Sequence, residues 1–262
     1  MKHKARKRFG QNFLIDGSII ARIVSAIAPK PGELVLEIGP GQEALTGPLM
    51  ASGAEVKVVE IDRDLAAQLR LRHPDLAVIN EDALKVDFTA LADGRPYRLV
   101  GNLPYNISTP LLFHLLDQDQ PPADMHFMLQ AEVVDRMNAG PGSKAYGRLS
   151  LMCQVHAEVV PLFGVPPEAF DPRPKVDSAI VRLVPRPEPL VPAELLEPFD
   201  TLVRQAFSLR RKTLRNSLRK LLPAAALEAA GVDPSARPEQ VDLEGFRRLA
   251  SALAASDEAE LT

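Results

Sequence analysis

The chain has 262 residues, of which 46% are hydrophobic and 25% are charged, so it can form a large soluble domain and a smaller one. Its formal net charge of −3 excludes nucleic-acid binding through overall charge and leaves that role to local basic patches. The single cysteine, Cys153, excludes an internal disulfide, and the five scattered histidines predict no metal site.

The start of the chain is basic but does not predict a targeting segment. Gln11, Asn12 and Asp16 interrupt any apolar segment that could follow the basic residues Met1 to Arg8. No apolar run approaches the roughly 20 residues that a membrane-spanning helix needs. We therefore expect a cytoplasmic enzyme without a membrane partner, and a monomer by default.

Short apolar runs alternate with helical segments through the first two-thirds of the chain. Asp16 is the predicted N-cap of a first helix. The predicted strands are 34–38, 55–61, 76–79, 97–101, 125–130 and 178–184. The predicted helices between them are 44–51, 64–72 and 108–116. This alternation predicts an α/β fold with a parallel, doubly wound, Rossmann-like sheet, and 178–184 is expected to close one edge.

A proline-rich segment from Val184 to Pro192 separates two regions, because its prolines cannot continue a helix or a central strand. Every element predicted beyond it is a helix: 193–208, 212–222, 224–230 and 243–255. We therefore predict a catalytic domain over 1–186, with a basic arm over 1–15, and a small all-α domain over 187–262.

Acidic residues and glycines follow three consecutive predicted strands. Gly39 and Gly41 lie where the first strand turns into a helix, so the backbone can approach a ligand closely. Glu60 ends the second strand, where a carboxylate can bind both hydroxyls of a ribose, and Asp82 follows the third strand, in reach of an adenine amino group. None of these site positions is a lysine or arginine that could neutralise phosphates, which favours a nucleoside cofactor with a cationic sulfonium group.

The same glycines also fit a dinucleotide-binding enzyme. Gly39, Gly41 and Ala44 satisfy G-x-G-x-x-A, so this stretch alone predicts a nicotinamide oxidoreductase as well as a methyltransferase. Asn102-Leu103-Pro104-Tyr105 has no role in hydride transfer, however, and the chain lacks a clear Tyr-x-x-x-Lys or His-Asp arrangement for the accompanying proton. Methyl transfer is the favoured chemistry.

The tetrapeptide Asn102-Leu103-Pro104-Tyr105 follows the fourth predicted strand and has the pattern (N/D)-(P/I/L)-P-(Y/F) of enzymes that methylate adenine N6 or amide nitrogens. The Asn102 side-chain oxygen and the Pro104 carbonyl can accept hydrogen bonds from one NH2 group. Tyr105, with Phe170 on the other side, can stack on the heterocycle that carries it. Plain core packing is the alternative role for both rings, as helix capping is for Asp82.

Two basic clusters stand out against the negative balance of the chain. The first comprises Lys2, Lys4, Arg6, Lys7 and Arg8, and the second Arg210, Arg211, Lys212, Arg215, Arg219 and Lys220. On the predicted helix Arg211, Arg215 and Arg219 share one face. Such clusters predict salt-sensitive contacts with RNA phosphates, although a solvated tail and an ordinary charged helix face are the alternatives.

Several motifs in one order resemble the KsgA family of small-subunit ribosomal RNA adenine N6,N6-dimethyltransferases. They are Gln11-Asn-Phe-Leu14, Glu37-Ile-Gly-Pro-Gly41, Val59-Glu-Ile-Asp62, Asn80-Glu-Asp-Ala83, Asn102-Leu-Pro-Tyr105 and Phe170 to Ser178. The resemblance covers nearly the whole chain. It implies S-adenosylmethionine as the donor and a class I methyltransferase sheet. It also implies two adjacent adenines near the 3′ end of 16S rRNA, in the small subunit or its precursor, as acceptors.

The resemblance also implies roles for single residues. The implied cofactor-binding residues are Asn12, Leu14, Gly39, Gly41, Glu60, Asp82 and Asn102. The chain departs from the family at Gln42-Glu43, where an apolar residue and a third glycine are usual. We expect Glu43 in the first helical turn, where a carboxylate suits the helix dipole, and a lower cofactor affinity because the glycine is lost.

Three hypotheses follow from the sequence. The first is an RNA adenine dimethyltransferase, the second a methyltransferase of DNA adenine or protein glutamine, and the third a non-catalytic factor that binds ribosomes. The Phe170 to Ser178 segment and the basic helical tail favour the first over the second. The combination of Asn102, Tyr105, Glu60 and Asp82 argues against the third.

Overall fold

The computed structural model describes residues 11–104, 107–116, 118, 120–209 and 211–260, without the side chains of 257–260. The strands in this part of the chain are β1 Phe13–Leu14, β2 Leu34–Ile38, β3 Glu55–Val59, β4 Ala77–Ile79, β5 Tyr97–Asn102, β6 Met125–Gln130, β7 Ala157–Val165, β8 Phe170–Asp171 and β9 Ser178–Pro185. The α-helices are α1 Gly17–Ile27, α2 Thr46–Ala51, α3 Arg63–Arg72, α4 Phe88–Leu91, α5 Ser108–Leu116, α6 Ala131–Asn138, α7 Arg148–His156, α8 Leu196–Ser208, α9 Leu214–Ser217, α10 Ala224–Ala229 and α11 Leu243–Glu260.

Seven strands form one sheet in the order β4-β3-β2-β5-β6-β9-β7. The first five are parallel, and β9 pairs antiparallel with β6. The predicted α/β sheet is thus confirmed. The first predicted helix is confirmed as well, since the Asp16 carboxylate accepts hydrogen bonds from the first-turn amides of α1.

The edge of the sheet differs from the prediction. β9 lies between β6 and β7, so β7, which the sequence did not predict as a strand, forms the edge. β7 contains Pro161, and most of its residues are exposed or half-buried. Proline has no amide hydrogen for a strand ladder and is tolerated in edge strands, which explains both the missed element and its position.

Parallel register brings the ends of the central strands together. Ile38, the last residue of β2, pairs with Val59 at the end of β3 and with Gly101 near the end of β5. Because parallel strands run in one direction, the residues that follow β2, β3 and β5 all lie together at the carboxyl ends of the strands.

At the opposite end of the strands, a buried ion-pair network joins β5 to β9 through Asp124. Arg98 at the start of β5 donates from Nε and Nη2 to Asp124 at 2.7 and 2.9 Å, and Arg182 of β9 donates to Asp124 Oδ2 at 3.1 Å. Burial opposes ionisation of Asp124, but the hydrogen bonds from Arg98 and the nearby positive charges outweigh it and lower its pKa. Asp124 therefore carries a charge that both arginines compensate.

The chain divides into two compact units, Met1–Val134 with Val159–Pro185, and Asp135–Glu158 with Arg186–Thr262. The chain passes between the units three times, and the last passage, after Pro185, lies next to the predicted boundary at 186. The segment Asp135–Glu158, however, joins the helical unit, whereas the sequence analysis placed it in the catalytic domain. Leu151 and Val155 of this segment are buried in the same apolar cluster as helices α8 and α11, and such a packing partner cannot be read from chain order.

The helix predicted over 212–222 is much shorter than expected, since α9 has only four residues. The backbone amides of Leu214 and Arg215 donate to the carbonyls of Ala236 and Pro234, at 2.8 and 2.9 Å. These long-range hydrogen bonds, with the burial of Leu218, outweigh the local helical periodicity of the segment.

We expect Asp124→Ala to lower the free energy of unfolding by about 3 kcal/mol, because it leaves a buried guanidinium without its main counter-ion. The Arg98 side chain is only 14% exposed, and Glu33 at 3.2 Å is its only other ion-pair partner among the described residues. Urea unfolding followed by circular dichroism measures the change. Glu55→Ala is the control and should change stability far less, because both side chains of the Glu55–Arg95 pair are nearly half exposed. Equal losses in the two variants would contradict the role of the network.

Candidate active site

A cleft of about 720 Å³ lies where the central parallel strands end. Its wall includes Ile38, Val59 and Asn102, the last residues of β2, β3 and β5. Six of the seven predicted cofactor residues line it: Asn12, Gly39, Gly41, Glu60, Asp82 and Asn102. The predicted site residues that lie far apart in the sequence therefore share one cavity at the edge where open α/β sheets bind ligands.

Two glycines shape the loop after β2. Gly39 and Gly41 have φ angles of 68° and 56°, in the left-handed region that favours glycine. A Cβ atom on Gly41 would lie only 3.1 Å from Cδ1 of Phe13. The loop thus depends on glycine both for its backbone conformation and for the close approach of an aromatic ring.

The Glu60 carboxylate is held in a defined orientation at the end of β3. Its side chain is buried, and it accepts hydrogen bonds from the backbone amides of Gly41 at 3.1 Å and Asp62 at 2.8 Å. Burial raises the pKa of Glu60, although these two hydrogen bonds oppose the rise. Its remaining lone pairs can accept hydrogen bonds from two hydroxyl groups of a ligand.

Asn102 is oriented by the N-terminal segment. Its Nδ2 atom donates to the backbone carbonyl of Asn12 at 2.9 Å. An amide has one donor end and one acceptor end, so this bond identifies Oδ1 as the end that can accept from an amino group in the cleft. The side chain therefore offers a fixed acceptor beside the cofactor-binding residues.

A model of the family described as "Ribosomal RNA adenine dimethylase" matches residues 2–255. The chain belongs to this family.

Similar proteins cover nearly the same length. "Ribosomal RNA small subunit methyltransferase A" of Pseudomonas putida is 56% identical over 262 residues, covering 98% of both chains. The protein of the same name from Xanthomonas campestris is 56% identical over 250 residues, covering 94% of this chain and 95% of the relative.

Two crystal structures have similar folds. That of the 23S rRNA methyltransferase ErmE aligns with a TM-score of 0.71 and 32% identity, covering 92% of this chain and 99% of ErmE. That of a dimethyladenosine transferase from Plasmodium falciparum aligns with a TM-score of 0.77 and 27% identity, covering 90% and 95% of the two chains. The class I methyltransferase fold predicted from the sequence is thereby confirmed.

The cleft of this family member fits S-adenosylmethionine, the methyl donor of the family. Among its described lining residues, Glu60, Glu81 and Asp82 are acidic and none is lysine or arginine. A phosphate-bearing cofactor would need cations or additional donors here, whereas a sulfonium cofactor brings its own positive charge. The cofactor class predicted from the sequence is confirmed by the family.

Glu37 is a buried carboxyl group that the sequence analysis quoted within a motif but did not select as a site residue. It lines a smaller cavity that shares Gly39, Gly41 and Asn102 with the main cleft. Thr46 Oγ1 donates to its Oε2 atom at 2.6 Å, and burial raises the pKa of Glu37 to about 8. The signal was present in the sequence, because Glu37 is the only charged residue in the apolar run 34–38.

Gln11 and Phe13 also line the cleft. Gln11 donates from Nε2 to Asp62 Oδ2 at 3.2 Å, and Phe13 contributes its ring. Both lie within the motif Gln11-Asn-Phe-Leu14, from which only Asn12 and Leu14 were selected. Leu14 itself is 6% exposed, belongs to the core and lines only the smaller cavity.

The predicted acceptor residues are only partly brought together. Pro104 lines the cleft, but its carbonyl, the expected second acceptor, already accepts hydrogen bonds from Ile107 N at 3.2 Å and Ser108 Oγ at 3.0 Å. Both lone pairs of this carbonyl are thus in use in this conformation. Leu103 touches the cleft but is 1% exposed and packs in the core. Tyr105 lies outside the described residues.

Phe170 does not line the cleft. Its side chain is 4% exposed, it belongs to the apolar core, and β8 pairs with β1 so that Phe170 lies opposite Leu14. The stacking role of Phe170 therefore stays a prediction. Asp82, by contrast, both lines the cleft and caps a turn, since its Oδ1 atom accepts from Leu84 N at 3.1 Å.

The structure bears differently on the predictions for the two basic clusters. The predicted RNA-contacting residues Lys4, Arg6, Lys7 and Arg8 lie outside the described residues. Arg211, Arg215 and Arg219 are exposed, and none of them forms an ion pair with another described residue. The expected common helical face is wrong, however, because α9 ends at Ser217 and leaves Arg211 and Arg219 outside the helix.

The expected position of Glu43 is also wrong. Helix α2 begins at Thr46, so Glu43 lies in the preceding turn rather than in the first helical turn, and its φ angle is 70°. Its carboxylate contacts Arg72 and His73 at the end of α3. The helix dipole of α2 is therefore not what accommodates this side chain.

Two further features concern metal ligands and membrane-spanning helices. No group of three or more metal-ligating side chains occurs among the residues that the structure describes. In the same part of the chain, every helix is too short or too polar to cross a membrane.

We expect Glu37→Gln to remove a pH dependence of stability. The folded-state pKa of about 8 lies above the ordinary value of 4.5, so between these values the folded chain holds a proton that the unfolded chain releases. Raising the pH from about 5.5 to about 8.5 should lower the free energy of unfolding of the native chain by up to roughly 1.4 kcal/mol per pH unit relative to the variant. Urea unfolding at both pH values measures the difference.

Glu55→Gln is the matched control for this prediction. Arg95 lowers the pKa of Glu55, so the stability that this carboxylate contributes is lost only at acidic pH. Its variant should follow the native chain between the two pH values. Parallel profiles for Glu37→Gln and the native chain would contradict the assignment.

Proposed function

We propose that this family member dimethylates N6 of two adjacent adenines near the 3′ end of 16S rRNA, in the small subunit or its precursor. The observation that carries the proposal is the Asn102 amide, which is fixed by the Asn12 carbonyl and has its acceptor end in the same cleft as Glu60 and the glycine loop. The names of the bacterial relatives, which specify the small ribosomal subunit, support this substrate over duplex DNA or protein.

The cofactor is proposed to bind along the ends of the parallel strands. Glu60 accepts the ribose hydroxyls, Asp82 binds the adenine amino group, and the loop of Gly39 and Gly41 lies against the methionine portion. When bound, S-adenosylmethionine supplies an electrophilic methyl group on a positively charged sulfur. The acidic lining is compatible with that charge, and its side chains are held by backbone hydrogen bonds before any ligand arrives.

The acceptor nitrogen is proposed to bind to Asn102. The lone pair of adenine N6 is delocalised into the ring, so the amino group is a poor nucleophile while it stays planar. A hydrogen bond to Asn102 Oδ1 holds one amino hydrogen and favours a pyramidal nitrogen whose lone pair points into the cleft. Positioning supplies most of the rate, and no strong base is needed because the proton leaves after transfer.

The target adenine has to leave its stack to reach this cleft. Extrusion of a base costs a few kcal/mol, and stacking on an aromatic side chain returns about 1–3 kcal/mol per contact. Tyr105 is the proposed stacking partner on one side of the base, whereas Phe170, which is buried opposite Leu14, would have to leave the core to stack on the other side. A second methylation of the same nitrogen requires that the cleft rebind the monomethylated product with only one hydrogen left to donate, which the single fixed acceptor Asn102 allows.

We propose in addition that the protein acts as a monomer in the cytoplasm. The ribosomal substrate named for its relatives supports the compartment. Exposed arginines without an ion pair to another described residue support the helical unit as an RNA-binding module, with Arg211, Arg215 and Arg219 as phosphate contacts.

Methyl transfer from radiolabelled S-adenosylmethionine to immature small ribosomal subunits tests the proposal, with duplex DNA and free protein as alternative acceptors. We expect label in N6,N6-dimethyladenine of 16S rRNA alone. In the same assay Asn102→Ala should lower turnover at least about 100-fold while changing the dissociation constant of the cofactor less than about threefold.

Asn138→Ala is the control, because this asparagine is exposed on α6 and does not line the cleft. Label in DNA or protein would favour the second hypothesis. Calorimetric binding of the cofactor without any transfer would favour a non-catalytic ribosome-binding factor. Robust turnover by the Asn102→Ala enzyme would exclude the proposed role of this amide.

We expect the triple variant with glutamine at Arg211, Arg215 and Arg219 to bind 16S rRNA with a weaker salt dependence. Each lost phosphate contact should reduce the slope of log K against log salt by about 0.7, or about 2 in total. Filter binding over a range of salt concentrations measures the slope. The control replaces Arg204, Arg247 and Arg248, which are engaged in ion pairs with Asp200 and Glu244. Equal slopes for the two triple variants would remove the proposed contact surface.

A further inference from the structure

Glu43 has a backbone conformation that favours glycine. Among the described residues only Ala28, Glu43 and Asp93 combine a side chain with a positive φ angle, and only Glu43 belongs to the loop after β2. Its φ of 70° is close to those of Gly39 and Gly41. A residue with a Cβ atom is strained in this region unless other interactions hold it there.

Two side chains at the end of α3 hold the Glu43 side chain. Arg72 Nη1 pairs with one carboxylate oxygen at 2.5 Å, and His73 Nε2 lies 2.9 Å from the other. The Glu43 side chain is 14% exposed and that of His73 27%, so solvent screens this contact less than it screens the one with Arg72, which is 53% exposed. The helix fixes the partners, because His73 N donates to Leu69 O at 2.8 Å and Arg72 Nη2 donates to Gln68 Oε1 at 3.0 Å.

The turn that Glu43 closes also carries the backbone amide that binds Glu60. Glu43 N donates to Pro40 O at 2.8 Å, so the segment from Pro40 to Glu43 is one tight turn. Within it, Gly41 N donates to Glu60 Oε2 at 3.1 Å. A change in this turn therefore moves the amide that orients the Glu60 carboxylate.

We propose that Glu43 is a positioning residue for the cofactor, whose contacts with Arg72 and His73 hold the loop in the conformation that a glycine would adopt unaided. The contacts of the carboxylate with α3 thus stabilise a backbone conformation that a glycine would adopt without them. The inference rests on the proposed role of Glu60, and it reverses the expectation that Glu43 merely weakens cofactor binding. Glu43, Arg72 and His73 contact neither donor nor acceptor in this scheme and act only through the loop.

Calorimetric titration with S-adenosylmethionine tests the proposal on the full chain without RNA. Glu43→Ala removes the clamp but keeps a Cβ atom that disfavours the positive φ angle, so the loop should leave this conformation and the dissociation constant should rise about tenfold. Glu43→Gly also removes the clamp but relieves the strain, so it should bind at least threefold more tightly than Glu43→Ala. At saturating cofactor, kcat of Glu43→Ala should fall less than threefold, because only cofactor binding is affected.

The second test replaces Arg72 and His73 together by alanine. In the native background the dissociation constant should again rise about tenfold, whereas in the Glu43→Gly background it should change less than twofold. Thermal unfolding of the cofactor-free chains is measured alongside, and the midpoint should fall for Glu43→Ala more than for Glu43→Gly. A change of similar size in both backgrounds would overturn the proposal.

Asp93 supplies a matched control. It also has a positive φ angle and an ion pair, with Lys57 Nζ at 3.0 Å, but it does not line the cleft. Asp93→Ala and Asp93→Gly should leave the cofactor dissociation constant unchanged. Equal affinities of Glu43→Ala and Glu43→Gly would overturn the proposal. A native chain that binds no cofactor would instead refute the proposed function, so the two failures are distinguishable.

Discussion

The site of this protein depends on the parallel register of three central strands. Because β2, β3 and β5 run in one direction and pair without a shift, the residues that follow them lie at one edge of the sheet. Gly39, Glu60 and Asn102 are more than 20 residues apart from one another in the sequence, yet all line one cleft. The chemistry of the family therefore rests on an array of backbone hydrogen bonds that contains none of the reacting groups.

Acidic side chains in this cleft are positioned by backbone amides rather than by cations. Glu60 accepts from Gly41 and Asp62, and Asp82 accepts from Leu84. Glu37 is bound instead by a hydroxyl group and is buried deeply enough for its pKa to rise to about 8. Such a site favours a ligand that carries positive charge and hydroxyl groups over one that carries phosphates, which agrees with the methyl donor of the family.

The N-terminal segment completes the acceptor side of the cleft. Asn12 uses its backbone carbonyl, not its side chain, to orient the Asn102 amide. Phe13 packs so closely on Gly41 that a Cβ atom there would lie 3.1 Å from its ring, and the ring would have to shift slightly. The short β1–β8 pair joins this segment to Phe170. A segment outside the seven-stranded sheet thus contributes to both the proposed cofactor side and the proposed acceptor side of the site.

Strand periodicity and turn residues are local properties, so the parallel α/β sheet, the glycine loop, the acidic strand ends and the Asn102 motif could be predicted from the amino-acid order. Which distant groups meet became clear from the folded structure. It placed β7 at the sheet edge, moved Asp135–Glu158 into the helical unit and shortened the helix that carries Arg215. It also paired Asn102 with Asn12, 90 residues away, and Glu43 with His73, 30 residues away. A local pattern predicts that a side chain needs a partner, but the choice of partner depends on packing between segments far apart in the chain.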